Sequence, residues 1–238
     1  MREHRTQFEL EVLPQPDDRT CGPTALHAVY RYWGLEIALE RVIDEIAPLP
    51  HGGTLAVTLA CHALRHGFDA DIFTYNLQVF DPTWFGGNVD LADRLRRQVR
   101  RKPLTRLRHA TDTYLEFLDL GGRIRYEDLE GALLRRFLRR EIPILTGLSA
   151  TYLYDEVRER DEKDDDIGGQ PVGHFVVLYG YETDGHDVMV ADPLRDNRYA
   201  SHYYRVGMEK LLAAILLGIL TYDANLLVLT PREEAAGR

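Results

Sequence analysis

Cys21 is the residue of this chain that is best placed to act as a nucleophile. It follows a loop broken by Pro14 and Pro16, and the apolar spacing after it predicts a helix that begins at or just after the cysteine. The first turn of a helix carries N–H groups without intrahelical partners and the positive end of the helix dipole. Such surroundings favour the thiolate form of a cysteine. A buried structural cysteine fits the same position, so the chemistry depends on partners elsewhere in the chain.

Three further polar residues supply those partners. His174 opens the apolar run HFVVLYG, and Asp192 follows the run DVMVA. If these runs form neighbouring antiparallel strands, the two side chains lie together at one end of a sheet, where the carboxylate would orient the imidazole and stabilise its charged form. Gln15 precedes Cys21 by six residues, and its side-chain amide is suited to donate to an oxyanion beside the backbone N–H of Cys21.

These residues and their neighbours resemble the C39 peptidase family and its C39-like relatives. The resemblance is carried by Gln15, by CGPTAL beginning at Cys21, by GHFVV around His174 and by the Asp-Pro pair at Asp192. It implies an α+β, papain-like fold with a helical N-terminal lobe and an antiparallel β-sheet C-terminal lobe. It also implies that Cys21 is the nucleophile, His174 the general base, Asp192 the residue that orients it, and Gln15 part of the oxyanion hole.

The resemblance predicts a cysteine peptidase or amide hydrolase that acts on a peptide or amide substrate without a cofactor. It covers residues 13–75 and 141–230, and residues 76–125 are expected to form an insertion over the cleft. An acyltransferase on the same fold and a peptide-binding module without turnover remain open as alternatives. Well-known family members are fused to a transporter and cleave leader peptides after a double glycine. This sequence shows neither a membrane segment nor an ATPase motif, so no particular substrate is predicted.

Sequence periodicity predicts the elements that position these residues, in one domain over 1–238 with a helical lobe at about 13–140 and a β lobe at about 141–232. The helix after Cys21 has a stripe of apolar residues and ends at Gly34. Further helices are expected at 37–46, 54–66 with Thr54 as N-cap, 94–108, 126–140 and 206–217, and residues 111–118 fit a helix or a strand. Strands are expected at 8–12, 68–75, 142–148, 174–180, 187–191 and 222–230, with turns at 51–53 and 183–186. The acidic stretch 155–169 is expected to be a mobile surface loop.

Cys61, His62 and His66 fall within one predicted helix. Histidines spaced i, i+4 can hold zinc, but the glutamate of a zinc-protease helix is missing and the sequence shows no third ligand. The prediction is therefore a packed cysteine with two ordinary histidines, and no metal site.

Net charge and hydropathy limit the classes of binding partner and the cellular location that this sequence is expected to have. The net charge of −9 argues against a nucleic-acid partner, apart from the arginine-rich stretch 94–108, which is expected to be a solvated basic face. The N-terminus lacks the apolar core of a signal peptide, and the apolar run Leu211–Leu220 is about half the length of a membrane-spanning helix. The expectation is a cytoplasmic protein with reduced thiols and no membrane segment.

Overall fold

An eight-stranded, mostly antiparallel sheet with helices packed on it forms the core. The structure is a computed structural model and describes residues 5–48, 53–182 and 186–232. The strands in those ranges are β1 (Arg5–Gln7), β2 (Phe68–Thr74), β3 (Arg123–Arg125), β4 (Ile144–Ser149), β5 (Glu159–Arg160), β6 (Lys163–Asp164), β7 (Gly173–Glu182), β8 (Asp187–Ala191), β9 (Tyr203–Gly207) and β10 (Asn225–Pro231). The helices are α1 (Cys21–Tyr32), α2 (Leu39–Glu45), α3 (Ala56–Arg65), α4 (Leu91–Arg101), α5 (Thr105–Asp119), α6 (Gly131–Leu138), α7 (Ala150–Tyr154) and α8 (Met208–Leu217), with 3-10 turns at Pro82–Phe85 and Gly218–Thr221.

The sheet combines strands from both halves of the chain. Its order is β3-β2-β10-β4-β7-β8-β9, with β1 added along β7, while β5 and β6 form a separate hairpin. Strand β10 pairs antiparallel with both β2 and β4, and only β2 and β3 run parallel. Eight consecutive residues of β7, from His174 to Tyr181, are buried, as expected for a strand covered on both faces. The mixed α/β architecture predicted from the sequence is therefore confirmed.

Helix α1 begins at Cys21, as predicted, and its apolar stripe enters the core. Ala25, Leu26, Val29 and Tyr30 have no solvent exposure. The helix ends at Tyr32, and Gly34 adopts the left-handed conformation that favours glycine, with φ of 79°.

Gly22 allows the start of α1 to approach its neighbours closely. A Cβ atom at this position would lie 2.4 Å from Cγ2 of Thr54 and 3.2 Å from Cδ2 of Phe175 on β7. The first of these distances is shorter than a carbon–carbon contact can be, so only glycine fits without displacement. Cys21 is thereby held next to the strand that begins at Gly173.

Several predicted boundaries were wrong for local reasons. Among the described residues the first strand is β1 and not 8–12: Phe8 still donates to the carbonyl of Tyr179 on β7, but the N–H of Val12 donates to the side-chain hydroxyl of Tyr203. The basic stretch 94–108 is divided between α4 and α5, which are separated at 102–104 around Pro103. Helix α5 resolves the ambiguity at 111–118 in favour of a helix.

The C-terminal boundaries also differ. The helix predicted at 126–140 is shortened to α6, since Glu130 before it is extended with φ of −141°. The helix predicted at 206–217 begins at Met208, because Val206 pairs with Val188 as part of the unpredicted strand β9. The turns predicted at 51–53 and 183–186 lie partly outside the described residues.

The acidic stretch 155–169 is a surface hairpin built from β5 and β6. Its turn residues Asp161 and Glu162 have φ of 52° and 60°, as a two-residue hairpin turn requires. Glu162 accepts a hydrogen bond from Arg19 at 2.5 Å. The hairpin is thereby tied to the loop that leads into Cys21.

Candidate active site

His174 and Asp192 meet at one end of the sheet. Strands β7 and β8 are antiparallel neighbours, as predicted, with His174 near the start of β7 and Asp192 directly after β8. The imidazole Nε2 lies 2.7 Å from Oδ1 of Asp192. Both side chains are buried, His174 with 6% of its side chain exposed and Asp192 with none. A charged hydrogen bond of this length in such a sheltered position fixes the orientation of the ring.

The other oxygen of Asp192 is held by residues that the sequence did not reveal. Oδ2 accepts hydrogen bonds from the hydroxyls of Tyr154 and Tyr204, each at 2.5 Å, and lies 3.4 Å from Nδ2 of Asn197. The N–H of Leu194 donates to Oδ1 at 2.8 Å. The carboxylate thus has several donors around it, which is how a buried charge is normally stabilised.

Electrostatics favour a charged imidazole. Burial by itself lowers the pKa of His174, but the negative charge and hydrogen bond of Asp192, together with the hydrogen bond and charge of Cys21, raise it to about 10. Burial likewise opposes the ionisation of Asp192, but positive His174 and the hydrogen bonds from His174, Tyr154 and Tyr204 hold the pKa of this carboxyl below its usual range. The two groups therefore stabilise each other as an ion pair.

Cys21 forms the second contact of the imidazole. Its side chain hydrogen-bonds His174. Cys21 is itself 7% exposed at the first residue of α1. His174 therefore interacts with both the Asp192 carboxylate and the Cys21 thiol.

Gln15 lies at the same cleft as Cys21 and His174. Its backbone N–H donates to the carbonyl of Pro193 at 3.0 Å, so the loop before Cys21 is fastened to the residue after Asp192. The side-chain Nε2 donates to the carbonyl of Asp17 at 2.8 Å, while Oε1 has no hydrogen-bond partner among the described residues. An NH₂ group has two hydrogens, and the bond to Asp17 uses one of them.

The cleft has a volume of about 520 Å³ and an acidic rim. The rim carboxylates come from the Cys21 loop and from the 155–169 segment, namely Asp18, Glu156, Glu159, Asp161 and Glu162. Burial and, next, the neighbouring carboxylates raise the pKa of both Glu156 and Glu159. Arg106, from the segment predicted to be an insertion, also lines this cleft and donates to the carbonyl of Thr221 at 2.7 Å.

Asp223 lies in the same cleft and caps α3. The N–H of Ala56 donates to both of its oxygens, at 3.2 and 3.0 Å, and Asn225 donates to Oδ1 at 2.8 Å. The prediction that Thr54 caps this helix was wrong. Leu55 occupies the N-cap position, and the group that accepts from the first helical N–H is the carboxylate of Asp223, 167 residues further along the chain. Burial raises the pKa of Asp223 to about 7, against the opposing effects of Asn225, Ala56 and Arg106.

Cys61 is packed, as predicted. It is 2% exposed, and burial raises the pKa of its thiol to about 11. Its Sγ lies 3.7 Å from the carbonyl oxygen of Thr113. His62 of α3 and His66, which directly follows that helix, meet Glu45 of α2, a third candidate metal ligand that sequence spacing did not reveal.

In the described ranges, no helix combines the length and the apolar character needed to cross a bilayer.

Comparison with solved structures identifies the fold as that of C39-like peptidases. A structure described as a C39-like peptidase from Bacillus anthracis matches with a TM-score of 0.54 and 15% sequence identity, over 98% of this chain and 100% of that chain. The fold assignment rests on this likeness.

Two further structures are similar at lower scores. One is the peptidase domain of Streptococcus ComA, a bifunctional ABC transporter of a quorum-sensing pathway, with a TM-score of 0.44 and 15% identity over 94% of this chain and 99% of that one. The other is a double-glycine-motif protease from an AMS/PCAT transporter in complex with the leader peptide, with a TM-score of 0.46 and 14% identity over 94% of both chains. The sequence matches no family model and no curated protein.

Proposed function

We propose that this protein is a cysteine peptidase or amide hydrolase with Cys21 as nucleophile, His174 as general base and Asp192 as the residue that orients the imidazole. The observation that carries the proposal is the position of His174, whose Nε2 lies 2.7 Å from Oδ1 of Asp192 and which also interacts with the side chain of Cys21. The peptidase fold supports the same conclusion.

The proposed reaction begins from a thiolate–imidazolium pair. Sγ of Cys21 attacks the carbonyl carbon of the scissile amide, and the imidazolium of His174 donates its proton to the leaving amine. The C–N bond breaks, leaving a thioester on Cys21. A water molecule then loses a proton to His174 and attacks the thioester, which releases the acid and regenerates the pair.

The developing oxyanion needs donors close to Cys21. The backbone N–H of Cys21 belongs to the first turn of α1, where helical geometry supplies no intrahelical acceptor. Nε2 of Gln15 is the side-chain donor at the same cleft. One such donor is typically worth about 3–4 kcal/mol of transition-state stabilisation.

Alkylation at acidic pH tests the ion pair. Purified protein is treated with iodoacetamide at pH 6, and each cysteine is followed by mass spectrometry. We expect rapid modification of Cys21 and none of Cys61, whose raised pKa and burial make it an internal control. His174→Gln, which keeps an amide donor facing Asp192, should abolish the reactivity at pH 6. Equal labelling of Cys21 in both proteins would exclude an activated thiolate.

Turnover requires a second experiment. A peptide pool is incubated with wild-type protein and Cys21→Ala, and new N-termini are identified. Cleavage by wild type alone supports hydrolysis. A thioester on Cys21 that turns over only when amines or thiols are added would replace hydrolysis by acyl transfer. A reactive Cys21 with neither product would leave a binding function and contradict the proposal.

A further inference from the structure

Glu45, His62 and His66 form a compact group away from the residues that line the candidate active cleft. The ligand atoms of the three side chains all lie within 4.8 Å of one another. Oε2 of Glu45 is 3.1 Å from Nε2 of His62 and 3.0 Å from Nε2 of His66. The group joins the last residue of α2 to the last turn of α3 and the residue that follows it.

These separations are close to those of a tetrahedral metal site. Zinc bonds to histidine nitrogen and carboxylate oxygen are about 2.0–2.2 Å long, which puts neighbouring ligand atoms about 3.3 Å apart. Oε2 of Glu45 therefore already lies near a ligand–ligand distance from each imidazole nitrogen. The histidine rings are stacked, with centroids 4.2 Å apart and planes inclined by 24°, so binding of one ion requires the rings to rotate until their Nε2 atoms converge.

The surroundings orient the ligands. Nδ1 of His62 is 2.7 Å from the hydroxyl of Tyr30, a residue of α1 with no solvent exposure. Histidines that bind metals commonly use their second nitrogen in this way, which fixes the tautomer and the ring orientation. Arg41 occupies Oε1 of Glu45 at 2.6 Å, so that Oε2 is left as a single ligand atom.

The three side chains differ in their exposure to solvent. The side chain of His62 is 5% exposed, that of His66 22% and that of Glu45 35%. One side of the group is closed by protein and the other faces solvent, which leaves room for entry of an ion and for a water ligand.

We propose that Glu45, His62 and His66 bind one divalent transition-metal ion, with Zn²⁺ as the preferred occupant and water as the remaining ligand. Two imidazoles and one carboxylate form a ligand set that suits zinc. The ion would connect α2 to α3 and, through Tyr30, support the helix whose first residue is Cys21. Its role in this arrangement is structural.

Cobalt provides a direct probe, because tetrahedral Co²⁺ has strong visible absorption. Co²⁺ and then Zn²⁺ are titrated into the untagged full chain carrying Cys21→Ala, which removes the thiol as a competing ligand. We expect visible absorption that saturates at one equivalent of Co²⁺, its displacement by Zn²⁺ and a rise in Tm with Zn²⁺. Absence of both the absorption and the Tm shift at 1 mM metal would overturn the proposal.

Three variants in the same background identify the ligands. His66→Gln and Glu45→Gln, both at partly exposed positions, should weaken binding by more than about tenfold because each removes a ligand. Tyr30→Phe should weaken it by about 10–100-fold, as expected for loss of an outer-shell partner. His109→Gln, at an exposed histidine of α5, is the control and should leave binding unchanged. Unchanged binding in His66→Gln would locate the ion elsewhere and refute the site, whatever the outcome of the peptidase assays.

Discussion

Tyr154 and His174 hold opposite oxygens of the same buried carboxylate. The hydroxyl of Tyr154 donates to Oδ2 of Asp192 at 2.5 Å, while Nε2 of His174 lies 2.7 Å from Oδ1. Tyr204 makes a second 2.5 Å bond to Oδ2. With Oδ2 occupied by the two phenols, Oδ1 is directed at the imidazole. Burial, followed by the charges of Tyr204 and Asp192, raises the pKa of Tyr154, so it remains a hydrogen-bond donor.

Tyr154→Phe should destabilise the protein. The substitution removes one donor from a fully buried carboxylate and leaves the rest of the ring in place. Hydrogen bonds to charged groups contribute about 1.5–3 kcal/mol, so we expect a loss of that size in the free energy of unfolding at pH 7. Urea denaturation measures it. Tyr152→Phe, two residues earlier on the same helix and 41% exposed, is the matched control and should have little effect. Equal stabilities for the two variants would show that the bond to Asp192 is not important for folding.

Asp192→Asn should lower the pKa of His174. The amide oxygen can still accept from Nε2, but the negative charge that opposes burial is lost. The pKa should therefore fall from about 10, and the high-pH limb of kcat/KM should move to lower pH with it. At pH 7 we expect a loss in kcat/KM on the order of 100-fold or more. NMR titration of the ring follows the pKa without a substrate.

Asp187→Asn, at the other end of β8, controls for a general loss of negative charge and should leave the His174 titration unchanged. A wild-type titration curve in Asp192→Asn would contradict the ion pair.

Gly22→Ala should displace the start of α1. Its Cβ would lie 2.4 Å from Cγ2 of Thr54, which forces the helix or its neighbour to move. Overpacking of this kind typically costs about 1–3 kcal/mol, and movement of Cys21 away from His174 should also slow alkylation at pH 6. Thr54→Ser deletes the clashing methyl group, so the double variant should recover most of the stability and reactivity. No recovery would indicate that the contact with Phe175 or the backbone conformation limits this position.

Asp223→Asn should change the pH dependence of stability. The pKa of Asp223 is raised in the folded protein, so the stability linked to its neutral form is fully present below the ordinary value of 3.8 and is lost as pH rises through about 7. Asparagine stays neutral and can still accept from the N–H of Ala56. A shift from 3.8 to about 7 corresponds to about 4 kcal/mol. The variant should therefore gain stability relative to wild type between pH 4 and pH 8 by up to that order, measured by urea denaturation at each pH. Parallel stability curves would contradict a raised pKa.

The sequence predicted that His174 and Asp192 lie side by side because local patterns encode each part. The apolar run after His174 identifies β7, and the apolar run before Asp192 identifies β8. Because the two runs are close together in the sequence, an antiparallel pair is the simplest arrangement. The apolar stripe and Gly34 identify α1 equally well. The catalytic roles remain predictions that the chemical experiments test.

Long-range polar contacts could not be predicted in this way. Tyr154 is 38 residues from Asp192, and Asp223 is 167 residues from the N–H of Ala56 that it caps. Glu45 meets His62 only because α2 packs beside α3. None of these partners has a local signature, since their meeting depends on tertiary packing. Strand β9 was missed for a related reason: Val206 fits the apolar pattern of the following helix as well as that of a strand.

The place of β10 in the middle of the sheet has a consequence for biosynthesis. A ribosome-bound chain that stops before Asn225 has β2 and β3 on one side and β4, β7 and β8 on the other, with no strand to join them. Thr221 and Asp223, which line the cleft, come directly before β10, so at that stage the sheet does not yet hold them or the cap of α3 in place. Assembly of the candidate site is therefore completed only once β10 has paired with β2 and β4.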